Sequence, residues 1–156
     1  MSSEFKRVGL VARRSRHAEA VDEEVLDSVR VVADVLDSAG VSIVLERHTA
    51  SALGESSNSG LPRQALGSAC DLIVVVGGDG SLLGVGRDLA AHNVPVLGVN
   101  RGGLGFLAGV SPDAIEDKLQ AMLDGDFVSE DHFLLEAWVL RDGVEQSRSP
   151  ALNDVV

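Results

Sequence analysis

The chain predicts an α/β fold, an open and mostly parallel sheet with flanking helices, and three observations carry that prediction. Leu72-Ile73-Val74-Val75-Val76 is an uninterrupted apolar run, as expected for a strand covered on both faces in a parallel sheet. Val21, Val25, Val29, Val32 and Leu36 recur at spacings of three and four, the stripe of an amphipathic helix. Strand-like and helix-like segments alternate from residue 5 to residue 123, the pattern of successive right-handed crossovers.

Each element follows in turn. Phe5 to Ala12 reads as the first strand, with Arg13, Arg14 and Arg16 beyond its carboxyl end. The valine stripe gives the first helix, and Gly40 is its expected C′ residue. The β-branched run Val41 to Leu45 predicts a second strand. Ser51 to Gly60 (SALGESSNSG) is small and polar and reads as a mobile surface loop, not a domain boundary. The apolar run at 72–76 closes on Gly77-Gly78-Asp79-Gly80, followed by a predicted helix over Ser81–Ala91 and a strand over Val94–Val99. Ser111 as N-cap and Pro112 at the first helical position open the next helix, which Gly125 closes. Beyond it, Phe133–Leu140 and the segment from Val144 onward flank Asp142-Gly143, a two-residue hairpin signal. The final Ala151–Val156 reads as the middle of a strand. The expected organisation is an α/β nucleotide-binding domain over residues 1–125 and the start of a truncated β-rich second domain over 126–156.

Composition narrows the function. The 156 residues carry 13 Lys+Arg against 24 Asp+Glu, a formal charge of −11. An acidic balance of this size speaks against a protein that coats nucleic acid, which needs a basic face. At 45% hydrophobic and 24% charged the chain reads as globular. Its apolar runs are too short to span a bilayer, so no membrane partner is expected. Met1-Ser2-Ser3-Glu4 does not begin a signal peptide. The single Cys70 precedes an apolar strand and reads as a buried thiol in a reducing cytoplasm. Charge is also unevenly placed: five basic residues lie in 1–17, and seven acids follow in 18–37, the latter read as a solvated helix face.

Three blocks carry chemistry. Gly77-Gly78-Asp79-Gly80-Ser81 lies between a buried strand and a helix, where glycines allow tight turning and the helix N-terminus attracts phosphate. There is no Walker-type G-x-x-x-x-G-K-[ST], and Gly78, Gly80 and Gly84 give a spacing one residue too long for the dinucleotide fingerprint. The following strand ends in Asn100 instead of the ribose-binding acid, so a standard Rossmann dehydrogenase is not expected. Asp79 places a carboxylate in a phosphate-friendly turn, either as a helix N-cap or as a general base accepting a proton from a substrate hydroxyl. The second block, Gly98 to Leu107 (GVNRGGLGFL), holds four glycines and Phe106, a core residue or a wall for a flat base. The third is Asn153-Asp154, a turn pair or a pair able to hydrogen-bond ribose hydroxyls or an amide. The four histidines are scattered and no G-x-S-x-G is present, so neither structural zinc nor a hydrolase triad is expected.

Together these blocks resemble the NAD kinase family. The Gly77–Ser81 turn is shared with a wider superfamily that includes phosphofructokinases and lipid kinases, whereas GVNRGGLGFL looks like the NAD kinase version. ALNDVV (Ala151–Val156) is similar to the family's Asn-acidic motif, and FLLEA (Phe133–Ala137) also fits. The resemblance implies phosphorylation of the 2′-hydroxyl of the adenosine ribose of NAD to give NADP. ATP and NAD are then the substrates, with a divalent cation, Mg²⁺, accompanying ATP, and no metal ligand is assigned among the chain's own residues. By the same resemblance Asp79 is the proton acceptor. With Gly78 and Gly80 it contacts the ribose region of NAD, while Asn153 and Asp154 hold the other end and Phe106 lines the pocket. Family members are homodimers or homotetramers. Family chains continue into a β-rich domain whose Thr/Gly/Ser-rich loop completes the site, so an N-terminal portion is the expectation here. The alternatives are another kinase of the superfamily, acting on a sugar phosphate or a lipid, and a non-catalytic nucleotide-binding module.

Overall fold

The computed structural model describes residues 4–15, 21–56, 58–102, 105, 107 and 109–152. Four strands, β1 (Arg7–Ala12), β2 (Ser42–Leu45), β3 (Leu72–Gly77) and β4 (Val96–Asn100), form one sheet in the order β2-β1-β3-β4. Every pairing is parallel, with Val8 opposite Leu72, Ile73 opposite Val96 and Arg7 opposite Ser42. The apolar run behaves as its composition requires, since all six residues of β3 are buried.

Alternation along the strands divides the core into two layers. Val8, Leu10 and Ala12 of β1 and Leu72, Val74 and Val76 of β3 face one side. There they meet Val25, Val29, Val32 and Leu36 of helix α1 (Glu23–Ser38) and Ile115 and Leu119 of a later helix (Ile115–Leu123). Val11, Ile73 and Val75 point the other way, against Leu66, Val85 and Leu89. Each such fully buried side chain contributes about 1.5–3 kcal/mol of transfer free energy, so a strand buried on both faces anchors the domain. The valine stripe is therefore the core face of α1, and Gly40 follows it with φ +73°.

The structure departs from the sequence expectation at three helices, and β1 and β4 each start two residues later than predicted. Two short helices lie between β2 and β3: α2 (Arg47–Ala52) and α3 (Arg63–Ala69). Ser51 and Ala52 therefore belong to a helix, and the loop that follows is shorter than its composition suggests. Its far end is pinned to the sheet, where the Leu61 N–H donates to Leu45 O at 2.9 Å and the Arg47 N–H to Leu61 O at 2.7 Å. Third, helix α4 (Asp79–Leu89) starts two residues ahead of the predicted Ser81, with Gly78 at its N-cap. A single 3₁₀ turn at Pro112–Ala114 leads into α5 (Ile115–Leu123), and Gly125 follows it with φ +91°.

The remaining strands, β5 (Leu135–Arg141) and β6 (Val144–Ala151), form a separate antiparallel pair. Asp142 and Gly143 connect them with φ of 52° and 76°, the left-handed pair that a two-residue I′ turn requires. Trp138, Val139, Leu140 and Val144 of this hairpin are all more than half exposed. Arg148 lies over the Trp138 ring at 5.5 Å and hydrogen-bonds Glu136, which holds the Glu136 carboxyl below its usual range. Among the described residues no helix is long and apolar enough to cross a membrane.

Candidate functional site

The strand order sets the location of the site. The chain leaves β1 toward β2 on one side and leaves β3 toward β4 on the other, so the carboxyl ends of β1 and β3 flank a topological switch point, where open α/β sheets bind ligands. A cleft of about 820 Å³ opens there. Its lining includes Arg13, Arg14 and Ser15 after β1, Gly78 to Ser81 after β3, and Gly102 after β4. The first N–H groups of a helix have no acceptor within it, so the start of α4 turns this end of the cleft toward an anion.

Asp79 occupies the first helical position, one residue past the N-cap, so it is not the cap that its residue type permits. Its carboxylate is held across the cleft mouth by the second glycine block: the Leu107 N–H donates to Asp79 Oδ1 at 3.2 Å. Gly105 stands so close that a Cβ there would lie 2.7 Å from the same oxygen. Gly102 likewise comes against the Gly78 backbone, with a Cβ position 3.1 Å from Gly78 Cα. The two glycine-rich blocks thus meet at two points: Gly102 allows close backbone approach to Gly78 and Gly105 allows close approach of the Asp79 carboxylate, whereas the Cβ position of Gly80 meets nothing within 4 Å. The chain of the second block is bracketed by a parallel bridge from Val99 to Val110, with the Asn100 N–H donating to Val110 O at 2.8 Å.

Arg101, the one cation in the second block, turns away from the cleft. Its Nε donates to Ser28 Oγ on α1 at 2.6 Å, which ties the end of β4 to the helix layer. Arg13 does line the cleft, paired with Asp22 Oδ2 at 2.6 Å. Asp22 sits at the N-cap of α1 and makes no capping bond, its carboxylate being engaged by Arg13.

Two functional candidates escaped the sequence reading. Arg63, at the start of α3, enters the same cleft. Glu46, directly after β2, is 3% exposed and caps α2 by accepting from the His48 and Thr49 N–H groups at 3.0 and 3.1 Å. Thr49 Oγ1 in turn accepts the Ala12 N–H at 2.9 Å, so α2 is bonded directly to the end of β1 that borders the cleft. No sequence motif marks either residue.

Of the other site residues expected from the sequence, Gly78 and Gly80 lie in the cleft lining. Phe106, Asn153, Asp154 and Arg16 lie outside the described residues. Among the described residues no group of three or more His, Cys, Asp or Glu side chains could cage a metal ion.

A doubly wound domain that presents a glycine-rich helix start and arginines at its switch point defines a class: open α/β domains whose switch-point cleft can accept an anion. The family within that class is shown by sequence. Residues 8–127 match the family described as ATP-NAD kinase N-terminal domain, and the chain belongs to it. It is 42% identical over 153 residues to an NAD kinase of Pseudomonas putida (strain W619), and 43% identical over the same length to one of Pseudomonas savastanoi pv. phaseolicola. Both alignments cover 98% of this chain and 50% of the relative, so the chain spans about half the length of these curated relatives. Two solved structures share the fold. A yeast NADH kinase complexed with NADH matches with a TM-score of 0.70 at 17% identity, over 96% of this chain and 47% of that one. An NAD kinase from Archaeoglobus fulgidus in complex with ATP matches with a TM-score of 0.58 at 23% identity, over 89% and 45%.

Proposed function

We propose that this chain supplies the phosphate-binding and proton-accepting part of an NAD kinase, which moves the γ-phosphoryl group of ATP to the 2′-hydroxyl of the adenosine ribose of NAD. The observation that carries this reading is the placement of Asp79, a carboxylate fixed in the mouth of the switch-point cleft by the Leu107 N–H. In the reaction the 2′-oxygen bonds to the γ-phosphorus, the bond from that phosphorus to the β-bridging oxygen breaks, and ADP leaves. The hydroxyl proton passes to an Asp79 carboxylate oxygen. The partial positive charge at the start of α4 favours the ionised form that such a base needs.

In this reading Gly78 and Gly80 let the ribose and phosphates approach the backbone. Phe106, Asn153 and Asp154 take the roles the family resemblance assigns: a wall of the NAD pocket, and partners for the far end of the dinucleotide. The described residues offer no group of three or more ligands for a resident metal ion, and no side chain of this chain is assigned to one: Mg²⁺ would be carried on the phosphates of ATP, leaving Asp79 to take the proton. That ion would neutralise charge on the transferring group. Residues 1–125 are read as the nucleotide-binding domain and 126–156 as the opening of a β-rich one. The enzyme is read as a cytoplasmic homodimer or homotetramer.

The test is Asp79→Asn in the intact enzyme. The amide preserves shape and can still accept from the Leu107 N–H, but it cannot take a proton. NADP formation from NAD and ATP is expected to fall by about 10²–10⁴-fold with the thermal midpoint unchanged. Turnover within a few-fold of the parent enzyme removes Asp79 from the chemistry.

A further inference from the structure

Glu46 is the one acidic side chain that is buried among the described residues, and its two oxygens do different work. Oε2 accepts the His48 and Thr49 N–H groups of α2. Oε1 faces two guanidinium groups, with Arg14 NH2 at 3.5 Å and Arg63 NH2 at 3.9 Å. A buried carboxylate is tolerated only with charge partners, which explains why two like charges, 49 residues apart in sequence, converge here. Both distances exceed the roughly 2.7–2.9 Å of a tight charge-assisted bond. The arginines are gathered by Glu46 but not locked to it, and each guanidinium has five donors. Arg63 NH1 makes a further loose pair with Asp88 at 3.3 Å. Arg13, by contrast, is committed to Asp22 at 2.6 Å.

Both arginines line the cleft that holds Gly78, Asp79 and Gly80. On a chain of charge −11 this lining gathers three arginines, Arg13, Arg14 and Arg63, beside Asp22 and Asp79. Glu46 and Asp88, which pair with Arg14 and Arg63, lie outside it, so the cleft presents guanidinium donors without a net positive charge. We propose that Arg14 and Arg63, gathered by Glu46, form an anion subsite that binds a chain of linked phosphoryl groups running along the cleft from the start of α4. Planar donor forks on two separate elements suit successive phosphoryl groups, each able to receive two bonds. The inference deepens the kinase reading and rests on it only for the identity of the nucleotide that brings the phosphates. Triphosphate from ATP and pyrophosphate from NAD present the same chemistry.

The probe is inorganic tripolyphosphate, titrated calorimetrically into the 156-residue chain at low salt, a readout independent of turnover. Arg14→Gln and Arg63→Gln are each expected to weaken binding by about tenfold, the scale of one lost charge-assisted hydrogen bond. Arg63→Lys should recover part of the loss, which separates lost charge from lost fold. Arg30→Gln makes the same charge change on α1, where Arg30 pairs with Glu23 and Asp27, and should alter the affinity by less than about twofold. Displacement of tripolyphosphate by ATP alone assigns the subsite to the phosphoryl donor, and displacement by NAD alone assigns it to the dinucleotide. Equal losses in all three Gln variants would mean a diffuse field and overturn the proposal, as would the absence of saturable tripolyphosphate binding. If the intact enzyme formed no NADP from NAD and ATP while the arginine variants of the chain still lost tripolyphosphate, the kinase reading would fail and the subsite would stand. If NADP formed but the arginine variants kept tripolyphosphate, the subsite would fail and the kinase reading would stand.

Discussion

Gly105→Ala adds one methyl group at the point where the two glycine blocks meet. Its Cβ would lie 2.7 Å from Asp79 Oδ1, 3.1 Å from Cγ and 3.3 Å from Oδ2. The contact with the Asp79 carboxylate is what the added methyl changes. To regain ordinary separation the carboxylate must retreat by roughly 0.5–1 Å, which also lengthens its bond from the Leu107 N–H. That bond bridges partly exposed groups and is worth about 1 kcal/mol, or a thermal shift of roughly 2–4 °C in a chain of this size. Displacing a catalytic group by about 1 Å costs on the order of 10²-fold in rate. With Asp79 in the proton-accepting role proposed above, the intact enzyme carrying this variant should therefore lose about two orders of magnitude in NADP formation while remaining nearly as stable as its parent. Initial rates and thermal unfolding followed by circular dichroism test both halves. Gly109→Ala, with nothing within 4 Å of its Cβ position, serves as the neutral control. Unchanged turnover in Gly105→Ala, or a loss of activity that merely tracks a collapse in thermal midpoint, would refute the geometric argument.

Two further predictions concern the scaffold. Thr49→Val keeps the shape of the side chain but strands the buried Ala12 N–H that now donates to Thr49 Oγ1 at 2.9 Å. It should cost about 1–3 kcal/mol, measured as a shifted urea midpoint, and an unshifted midpoint would show that the bond is dispensable. Burial pushes the Cys70 thiol above its ordinary value, with Asp71 adding to the shift and Arg7 opposing it. Because the raised value belongs to the folded state, its contribution to stability is complete below the unfolded thiol pKa and is lost as pH rises through the folded one. Cys70→Ala should flatten that alkaline slope, and alkylation of native Cys70 should titrate at higher pH than in urea. An identical titration in both states would contradict the burial argument.

Periodicity recovers the sheet and its large helices because β3 and α1 bury long, regular apolar sets. It misses α2 and α3 because they bury only Thr49 and Ala50, and Leu66 and Gly67, respectively, too few for a stripe. The cap of α2 is Glu46, a residue type that does not announce a helix start. Gly-Asp-Gly reads as turn composition, so the start of α4 is placed too late. Within the site, Asp79, Gly78 and Gly80 are legible because they are contiguous and lie between a strand and a helix. Arg63 is not, since only the sheet order brings the start of α3 to the end of β1. Arg101 shows the converse: it sits in the most telling motif, yet its side chain braces α1.

The pairing of β1 with β3 has a consequence for how the domain comes into being. The cleft is bounded by residues 13–15 on one side and 78–81 on the other, so it has no local precursor. A nascent chain released as far as β2 can pair Arg7 with Ser42 and pack α1, yet it owns only one bank of the crevice. The second bank arrives when β3 joins β1, closing a loop of more than sixty residues. The entropy of closing such a loop must be met before the contacts repay it. Binding competence should therefore appear in one step with the completed central strand pair. A phosphate ligand present during refolding would recognise the finished sheet and none of its predecessors, leaving the rate of assembly untouched while slowing its reversal.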